Sequence, residues 1–132
     1  MATKLDGVHP TLVVRIGSVL AAMQILGFPM KVVQGVRTTA QQQALFAQGR
    51  TTPGKIVTKA DGVTNRSNHQ VKADGFGHAV DCAFIGPDPW GEKQPWKAYG
   101  ACCEAVGLKW GGGAAFLKAG INDRPHAELI PQ

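Results

Sequence analysis

The segment Ala79-Val80-Asp81-Cys82-Ala83-Phe84-Ile85 is an apolar run that contains one carboxylate. Its length, its β-branched and aromatic residues and the Gly-Pro pair that follows it predict a buried strand. Burying a carboxylate costs free energy unless a metal or another partner compensates it. Because its neighbours are apolar, Asp81 is not expected to be a solvated surface acid. The segment therefore predicts a strand with a compensated carboxylate inside the fold.

Helices and short strands alternate along the rest of the chain. His9-Pro10-Thr11 predicts a helix start, with His9 in the cap region, and Gly27 and Pro29 end this helix. Thr39 and Gln42 predict a capping box on a second helix. The predicted helices cover residues 10–26, 39–48 and 95–106, and the predicted strands cover residues 30–36, 79–85, 108–110 and 126–130. The chain of 132 residues fits one domain.

Residues 50–68 are rich in Gly, Thr, Lys and Asn, and they are too polar to form a core element. Connections of this length within compact domains are often functional. We therefore expect a functional loop immediately before His69.

Charge and apolar patterning restrict the partners of the protein. Fourteen Lys and Arg residues against nine Asp and Glu residues give a net charge of +5, which favours nucleic acid, an anionic membrane surface or an acidic cell-wall polymer. The basic residues are scattered, and no basic helix or aromatic platform indicates nucleic-acid binding. The apolar stretch at residues 11–28 contains Arg15 and Gln24, so we expect neither a signal peptide nor a membrane span.

The three cysteines, Cys82, Cys102 and Cys103, are odd in number. The adjacent pair has neither the C-x-x-C spacing of a zinc knuckle nor easy disulfide geometry. The sequence therefore predicts free buried thiols and a protein that accumulates in a reducing cytosol.

His69, Asp81 and His126 are candidate metal ligands, and three ligands would leave one coordination position open for water. A lone histidine is more often a hydrogen-bonding residue than a ligand. The context favours ligation here, because His69 precedes a strand with a carboxylate and His126 follows an acid, Asp123, by three residues. In an extended segment His78 points away from the face of Asp81, so we assign it a supporting or surface role.

These residues fall into motifs of a known family. Ser67-x-His69, Gly77-x-Ala79-x-Asp81 and Asp123-x-Pro125-His126 resemble the VanY-like zinc peptidases, the group of D-alanyl-D-alanine carboxypeptidases and L-alanyl-D-glutamate endopeptidases, and especially the small phage endolysins. The resemblance extends from about residue 33 onward, through the segments at residues 35–38, 45–51 and 109–112. It implies a hedgehog/DD-peptidase-like α+β fold, with a small antiparallel sheet packed against helices, and one zinc peptidase domain over residues 1–132.

The resemblance also implies roles for individual residues. Zn²⁺ would be held by His69, Asp81 and His126, and Asp123 would be the general base. Arg37 would hold a substrate carboxylate or the developing oxyanion, and Ser67 would support the substrate site by hydrogen bonding. The alternative interpretations are a turn or cap residue for Asp123, a surface cation for Arg37 and a turn for Ser67.

This sequence departs from the family pattern in its first histidine motif. His69 and Asp81 are twelve residues apart instead of seven, which implies an insertion around residues 71–74. An ungapped alignment would put Asp74 in the position of the first histidine, but Ser67-x-His69 preserves the start of the motif, and a loop insertion costs little. Relatives also often carry aromatic residues where this chain has Ala127 and residues 112–115.

The substrate that the resemblance implies is a stem or cross-bridge peptide of bacterial peptidoglycan, and the bond expected to be cleaved is the L-alanyl-D-glutamate bond. D-alanyl-D-alanine carboxypeptidase action is the alternative activity, and a non-catalytic wall-binding module on the same fold is the alternative from another class. The endolysin resemblance implies a monomeric phage lysis enzyme that waits in the host cytoplasm and reaches the wall after the membrane is breached. No nucleic-acid partner and no stable membrane insertion are expected.

Overall fold

The computed structural model describes residues 3–130 and has four helices and four strands in that range. In chain order they are α1 (Pro10–Ile25), β1 (Met30–Gln34), α2 (Thr39–Ala47), β2 (Ala79–Phe84), α3 (Trp96–Ala105), β3 (Leu108–Trp110), α4 (Ala114–Lys118) and β4 (His126–Leu129). This is the predicted α+β class, and every predicted strand is present. None of the helices in the described range is long and apolar enough to cross a membrane.

The strands form one antiparallel sheet in the order β1-β2-β4-β3. The two central strands, β2 and β4, pair so that Asp81 lies directly opposite His126. Because side chains alternate between the faces of a strand, this register puts both residues on the same face of the sheet.

The other face of the sheet packs against the helical core. Buried side chains of α1 and α3 meet the inward residues of the strands in one cluster, whose members include Leu12, Ile16, Val19, Met23, Val80, Cys82, Phe84, Tyr99, Leu108 and Ala127. Asp81 is absent from this cluster, although it lies between Val80 and Cys82 in the sequence. The alternation of β2 therefore assigns its apolar side chains to the core and its carboxylate to the opposite face.

The helix starts show one confirmed prediction and one wrong one. His9 caps α1, since its Nδ1 accepts a hydrogen bond from Thr11 N at 3.1 Å. The capping box of α2 is formed by Thr38 and Gln41, one residue earlier than the predicted pair of Thr39 and Gln42. Two adjacent threonines make either register possible locally, and the observed register turns Gln42 into the interior, where it is fully buried.

The segment after β3 contains a helix that is not among the predicted elements. Residues 114–118 form the short helix α4. The glycines end before the helix begins, and the helix brings the ring of Phe116 to 5.4 Å from the ring of His126. An aromatic side chain therefore lies beside His126, and it comes from the residue directly after residues 112–115, where this chain lacks the aromatic residues that relatives often carry.

Residues 48–78 contain no helix or strand, as the polar composition of residues 50–68 predicted. Side-chain hydrogen bonds hold this long segment in place. Gln42 Nε2 donates to Ala60 O at 2.9 Å, and Gln70 Nε2 donates to Gly62 O at 3.0 Å. Cys82, Cys102 and Cys103 are free, and Cys82 and Cys103 are buried, in agreement with the prediction of free thiols.

Candidate metal centre

Two imidazoles and one carboxylate converge on the face of the sheet that points away from the helical core. His69 Nε2 and His126 Nδ1 each lie 3.3 Å from Asp81 Oδ1, and they lie 3.2 Å from each other. The side chains of His69, Asp81 and His126 are 2%, 16% and 8% exposed, so only the carboxylate side of the cluster opens toward solvent. The structure therefore brings together the three residues that the sequence proposed as ligands.

The partners of the outer ring nitrogens define which nitrogen carries the proton. His69 Nδ1 donates to Gly35 O at 2.9 Å, and His126 Nε2 donates to Glu128 Oε1 at 2.7 Å. In a neutral imidazole the other nitrogen then carries a lone pair. Both lone pairs point toward Asp81, because an acceptor at the outer nitrogen of each ring, Gly35 O or Glu128, holds the proton there, as is usual for histidines that bind metals.

The hydrogen bonding of Asp81 is an independent indication that a cation binds between the three side chains. Its Oδ1 atom is buried and has no aligned hydrogen-bond donor in the described part of the chain. Tetrahedral coordination with bonds of about 2.0–2.1 Å separates neighbouring ligand atoms by about 3.3 Å. The observed separations of 3.2 and 3.3 Å match this value, so the three residues fit a zinc ion.

The pKa shifts describe the same cluster when it holds a proton instead of a metal. Burial alone lowers the pKa of His126, but the adjacent carboxylates of Asp81 and Glu128 outweigh it and raise the pKa to about 9. Burial alone raises the pKa of Asp81, yet the close imidazoles of His126 and His69 bring it well below its usual range. Asp81 is therefore ionised, and a proton on His126 is the competitor of a bound metal.

Arg37 borders the cluster on the side of Asp81. Its Nη2 donates to Asp81 Oδ2 at 3.3 Å and its Nη1 donates to Gln42 Oε1 at 2.9 Å. Arg37 Nε is buried without an acceptor in the described residues, and the side chain is only 14% exposed. Burial lowers the pKa of Arg37, which the charges of Asp81 and Asp123 oppose, and the guanidinium remains cationic. A surface cation, the alternative interpretation, does not describe this position.

Asp123 stands at the mouth of the cluster, with Oδ2 3.8 Å from His126 Nδ1 and a side chain that is 51% exposed. The turn around it is closed by its backbone, because Asp123 N donates to Gly111 O at 2.9 Å and His126 N donates to Asp123 O at 3.1 Å. The carboxylate is therefore not needed for the turn and can face the site. Desolvation by the surrounding walls and the charge of Asp81 raise the pKa of Asp123 above its usual value.

Ser67 has the turn role that its sequence context also allowed. Its Oγ accepts a hydrogen bond from His69 N at 3.1 Å, while Ser67 N donates to Gln70 Oε1 at 2.9 Å. These bonds orient the backbone of His69, one of the three candidate ligands.

His78 and Asp74 lie outside the cluster. Asp74 Oδ2 is 2.6 Å from His78 Nε2, and neither belongs to the group formed by His69, Asp81 and His126. His69, and not Asp74, therefore lies beside Asp81 and His126, which is the arrangement that the preferred sequence interpretation requires.

Two residues that support the site were not found from the sequence. Gln42, assigned to a helix cap, is instead the buried acceptor for Arg37. Glu128 is 5% exposed and accepts from both His126 and Asn68 Nδ2, the latter at 2.8 Å. The i, i+2 spacing of His126 and Glu128 within a strand could have revealed this pair, because such residues share one face. Nothing local pointed to Gln42.

The fold and the site together define the class of protein. It is a small α+β protein with a candidate metal centre of two histidines and one aspartate at its central strands. The carboxylate of Asp123 and the buried Arg37 lie beside this centre. No protein-family model matches the chain. It is 28% identical over 127 residues to the peptidoglycan L-alanyl-D-glutamate endopeptidase CwlK of Bacillus subtilis, an alignment that covers 93% of this chain and 74% of that protein.

Among solved structures, the chain is also similar to enzymes that act on peptidoglycan. The L-Ala D-Glu endopeptidase ChiX of Serratia marcescens superposes with a TM-score of 0.61 at 28% identity, covering 96% of this chain and 84% of that one. The L,D-carboxypeptidase DacB of Streptococcus pneumoniae has the same fold, with a TM-score of 0.69 at 21% identity over 94% of this chain and 67% of its own. The chain is thus similar, in sequence to CwlK and in fold to ChiX, to the peptidoglycan peptidases that the VanY-like resemblance predicted.

Proposed function

We propose that this protein is a zinc-dependent peptidase of bacterial peptidoglycan. The observation that carries the proposal is the convergence of two imidazole lone pairs on the unpartnered Oδ1 of Asp81, at separations that suit a tetrahedral ion. His69, Asp81 and His126 would hold the ion. When bound, zinc supplies a Lewis acid and lowers the pKa of a coordinated water toward neutrality.

Asp123 is the proposed general base. Its carboxylate lies beside the open side of the cluster and takes no part in the backbone hydrogen bonds that close the turn. One carboxylate oxygen would take a proton from the attacking water as the water oxygen bonds to the scissile carbonyl carbon. The same proton would then pass to the amine nitrogen as the carbon–nitrogen bond breaks. A pKa raised toward the working pH suits this exchange better than that of an ordinary aspartate.

Arg37 is the proposed anchor for the substrate. Gln42 and Asp81 use its two terminal nitrogens, but its Nε has no acceptor among the described residues. A guanidinium binds a carboxylate or a developing oxyanion through directed N–H groups. Because Nε is buried, the N–H groups proposed to bind an anionic substrate group are the second ones on Nη1 and Nη2.

The bond that we propose is cleaved joins L-alanine to D-glutamate in the stem peptide. CwlK and ChiX, both 28% identical to this chain, are L-Ala-D-Glu endopeptidases. D-alanyl-D-alanine carboxypeptidase action is the second candidate. The same site could perform it, because a terminal carboxylate would suit Arg37 equally well.

The proposal also covers the domain organisation, the oligomeric state and the biological role of the protein. We infer one catalytic domain over residues 1–132 that acts as a monomer in phage-induced lysis, with the positive charge assisting contact with the wall. The resemblance to small phage endolysins supports the lysis role, and the free thiols suit synthesis in the host cytoplasm. A non-catalytic wall-binding module would not be expected to retain Asp123 together with all three ligands.

Mass spectrometry of digested muropeptides tests this function. The purified protein, loaded with zinc, should produce a new D-glutamate amino terminus, and chelation should abolish this product until zinc is returned. Asp123→Asn should lower the rate by about 10²–10⁴-fold while zinc remains bound. The exposed residue Asp88 provides the control, because Asp88→Asn removes a carboxylate away from the site and should leave the rate unchanged.

Other outcomes separate the alternatives. Release of D-alanine without a new D-glutamate terminus would identify a carboxypeptidase. Binding to intact walls with no hydrolysis by the zinc-loaded protein would identify a wall-binding module. Full activity in Asp123→Asn would overturn the proposed mechanism.

A further inference from the structure

A second cluster of metal-binding side chains lies where the N-terminal segment meets the start of β2. Within residues 3–130, His9, Asp74 and His78 each offer one ligand atom, and these atoms all lie within 4.8 Å of one another. Asp74 Oδ2 is 2.6 Å from His78 Nε2 and 3.9 Å from His9 Nε2. The proposed peptidase function uses none of these three side chains.

Backbone hydrogen bonds hold the segments of this cluster together. His9 N donates to Gly77 O at 2.9 Å, and Gly77 N donates to Gly7 O at 2.9 Å. The rings of His9 and His78 consequently lie edge to face, with their centroids 5.2 Å apart. The two imidazoles are therefore adjacent because of the backbone pairing of their segments.

Asp74 reaches the imidazoles from residues 71–74, where the sequence resemblance implies an insertion. This segment forms a tight turn in which Lys72 N donates to Phe76 O at 2.9 Å and Gly75 has a φ of 88°. Phe76 N also donates to Asp74 Oδ1 at 3.0 Å, which leaves Oδ2 directed at the histidines. The carboxylate is thus oriented by its own turn.

We propose that His9, Asp74 and His78 form a second metal site, which binds a divalent transition metal such as Zn²⁺ and fastens the insertion and the N-terminal segment to β2. Two imidazoles and one carboxylate suit Zn²⁺ and its late first-row neighbours better than Mg²⁺ or Ca²⁺. The side chains of His9, Asp74 and His78 are 29%, 40% and 23% exposed, so water can complete the coordination.

Both histidines carry a proton on Nε2 in the metal-free cluster, because His78 Nε2 donates to Asp74 Oδ2 at 2.6 Å, and His9 has the further cost of its cap. Its Nδ1 accepts the capping hydrogen bond from Thr11 N, which places the proton of the neutral ring on Nε2. Binding a metal through Nε2 requires the other tautomer and gives up this cap. The site should therefore bind more weakly than the cluster at Asp81, where both histidines already present lone pairs.

Metal titration of the chelated full-length protein tests the site independently of peptidase activity. Zn²⁺ in calorimetry, and Co²⁺ by its visible absorption, should each show two bound equivalents in the wild type, one tight and one weaker. Asp74→Asn and His78→Gln should lose the weaker equivalent and keep the tight one. His69→Ala should lose the tight equivalent and keep the weaker one, so failure at one site is distinguishable from failure at the other.

Two further variants make the test specific. His9→Ser removes the imidazole but keeps a residue suited to capping α1, and it should weaken the second equivalent without lowering the melting temperature of the metal-free protein. Asp88→Asn is the matched surface control and should retain both equivalents. A single equivalent in the wild type, or a second one that survives Asp74→Asn or is unaffected by His9→Ser, would overturn this three-ligand site.

Discussion

Glu128 accepts a hydrogen bond from His126 Nε2 at 2.7 Å, and its other carboxylate oxygen accepts one from Asn68. Burial alone raises the pKa of Glu128, but the contact with His126 outweighs it and lowers the pKa below the usual value. An ionised carboxylate thus keeps the proton of His126 on Nε2 and directs the lone pair of Nδ1 toward Asp81.

Glu128→Gln should therefore weaken zinc binding by about 10–100-fold. An amide presents one oxygen and one NH₂ group, so it cannot accept from both His126 and Asn68. Competition with a chromophoric chelator measures the affinity. Glu104→Gln, on the exposed surface of α3, is the control and should bind zinc as the wild type does. Equal zinc affinity of Glu128→Gln and Glu104→Gln would show that Glu128 does not affect zinc binding through His126.

Gln42→Ala should lower kcat/KM more than zinc content or affinity. Gln42 accepts from Arg37 Nη1 and donates to Ala60 O, so its removal frees the guanidinium and leaves buried polar groups unpaired. We expect the free energy of unfolding to fall by about 1–3 kcal/mol. Steady-state kinetics, chemical denaturation and metal analysis separate these effects.

The neighbouring Gln43 is exposed and provides the matched control. Gln43→Ala should leave both kinetics and stability nearly unchanged. A parallel loss of zinc in Gln42→Ala would contradict a role confined to positioning Arg37.

Zinc affinity should rise by about tenfold per pH unit between pH 6.5 and 9. The pKa of His126 is raised from 6.5 to about 9 in the metal-free protein, so zinc must displace about one proton in this window. Calorimetry in two buffers with different ionisation enthalpies counts the released proton. Affinity that does not change across the window would show that His126 is already neutral.

The raised pKa of His126 also predicts how the stability of the metal-free protein depends on pH. Because the folded-state pKa of His126 is raised, its contribution is fully present below pH 6.5 and is lost as the pH rises through about 9. Thermal melting of the chelated protein should show this decline. His126→Gln should remove the contribution of His126, and a melting temperature of the wild type that is constant from pH 6 to 9 would contradict it.

Two helical glycines should respond in opposite ways to the same substitution. In α1, Gly17 has open space where a Cβ would lie, so Gly17→Ala should stabilise the protein by about 0.5–1 kcal/mol. In α3, a Cβ on Gly100 would come within 2.2 Å of the ring of Trp110. Gly100→Ala should therefore be destabilising despite the better helix propensity of alanine.

Gly100→Ala should also lower peptidase activity. Trp110 Nε1 donates to Arg124 O at 2.7 Å, so displacement of this ring disturbs the turn that carries Asp123. Denaturation and kinetics of both glycine variants check the pair. Equal changes in the free energy of unfolding at the two positions would show that α3 shifts enough to accommodate a Cβ at position 100 beside Trp110.

Local features of the sequence were enough to predict most elements and the three proposed metal ligands. The apolar run around Asp81, the helical spacing after Pro10 and the Asp-x-Pro-His motif each lie within a short segment, where periodicity and residue chemistry act directly. Strand alternation also predicted correctly that His78 faces away from Asp81. The predicted strands and helices were confirmed because they needed no knowledge of which distant segments meet, whereas metal binding by the three residues stays a prediction.

Tertiary structure alone decided the contacts that connect those segments. The sequence did not indicate that Asp74 would meet His9, because this contact depends on how the long segment of residues 48–78 folds back over the chain. Gln42 and Arg37 are only five residues apart, but the same segment, through Ala60, supplies the other partner of the buried Gln42 amide. Likewise, the register of β2 with β4 and the acceptors at Gly35 and Glu128 set the separations of 3.2 and 3.3 Å in the metal centre. Residue types predicted the donors, and only the packed backbone brought their lone pairs to one point.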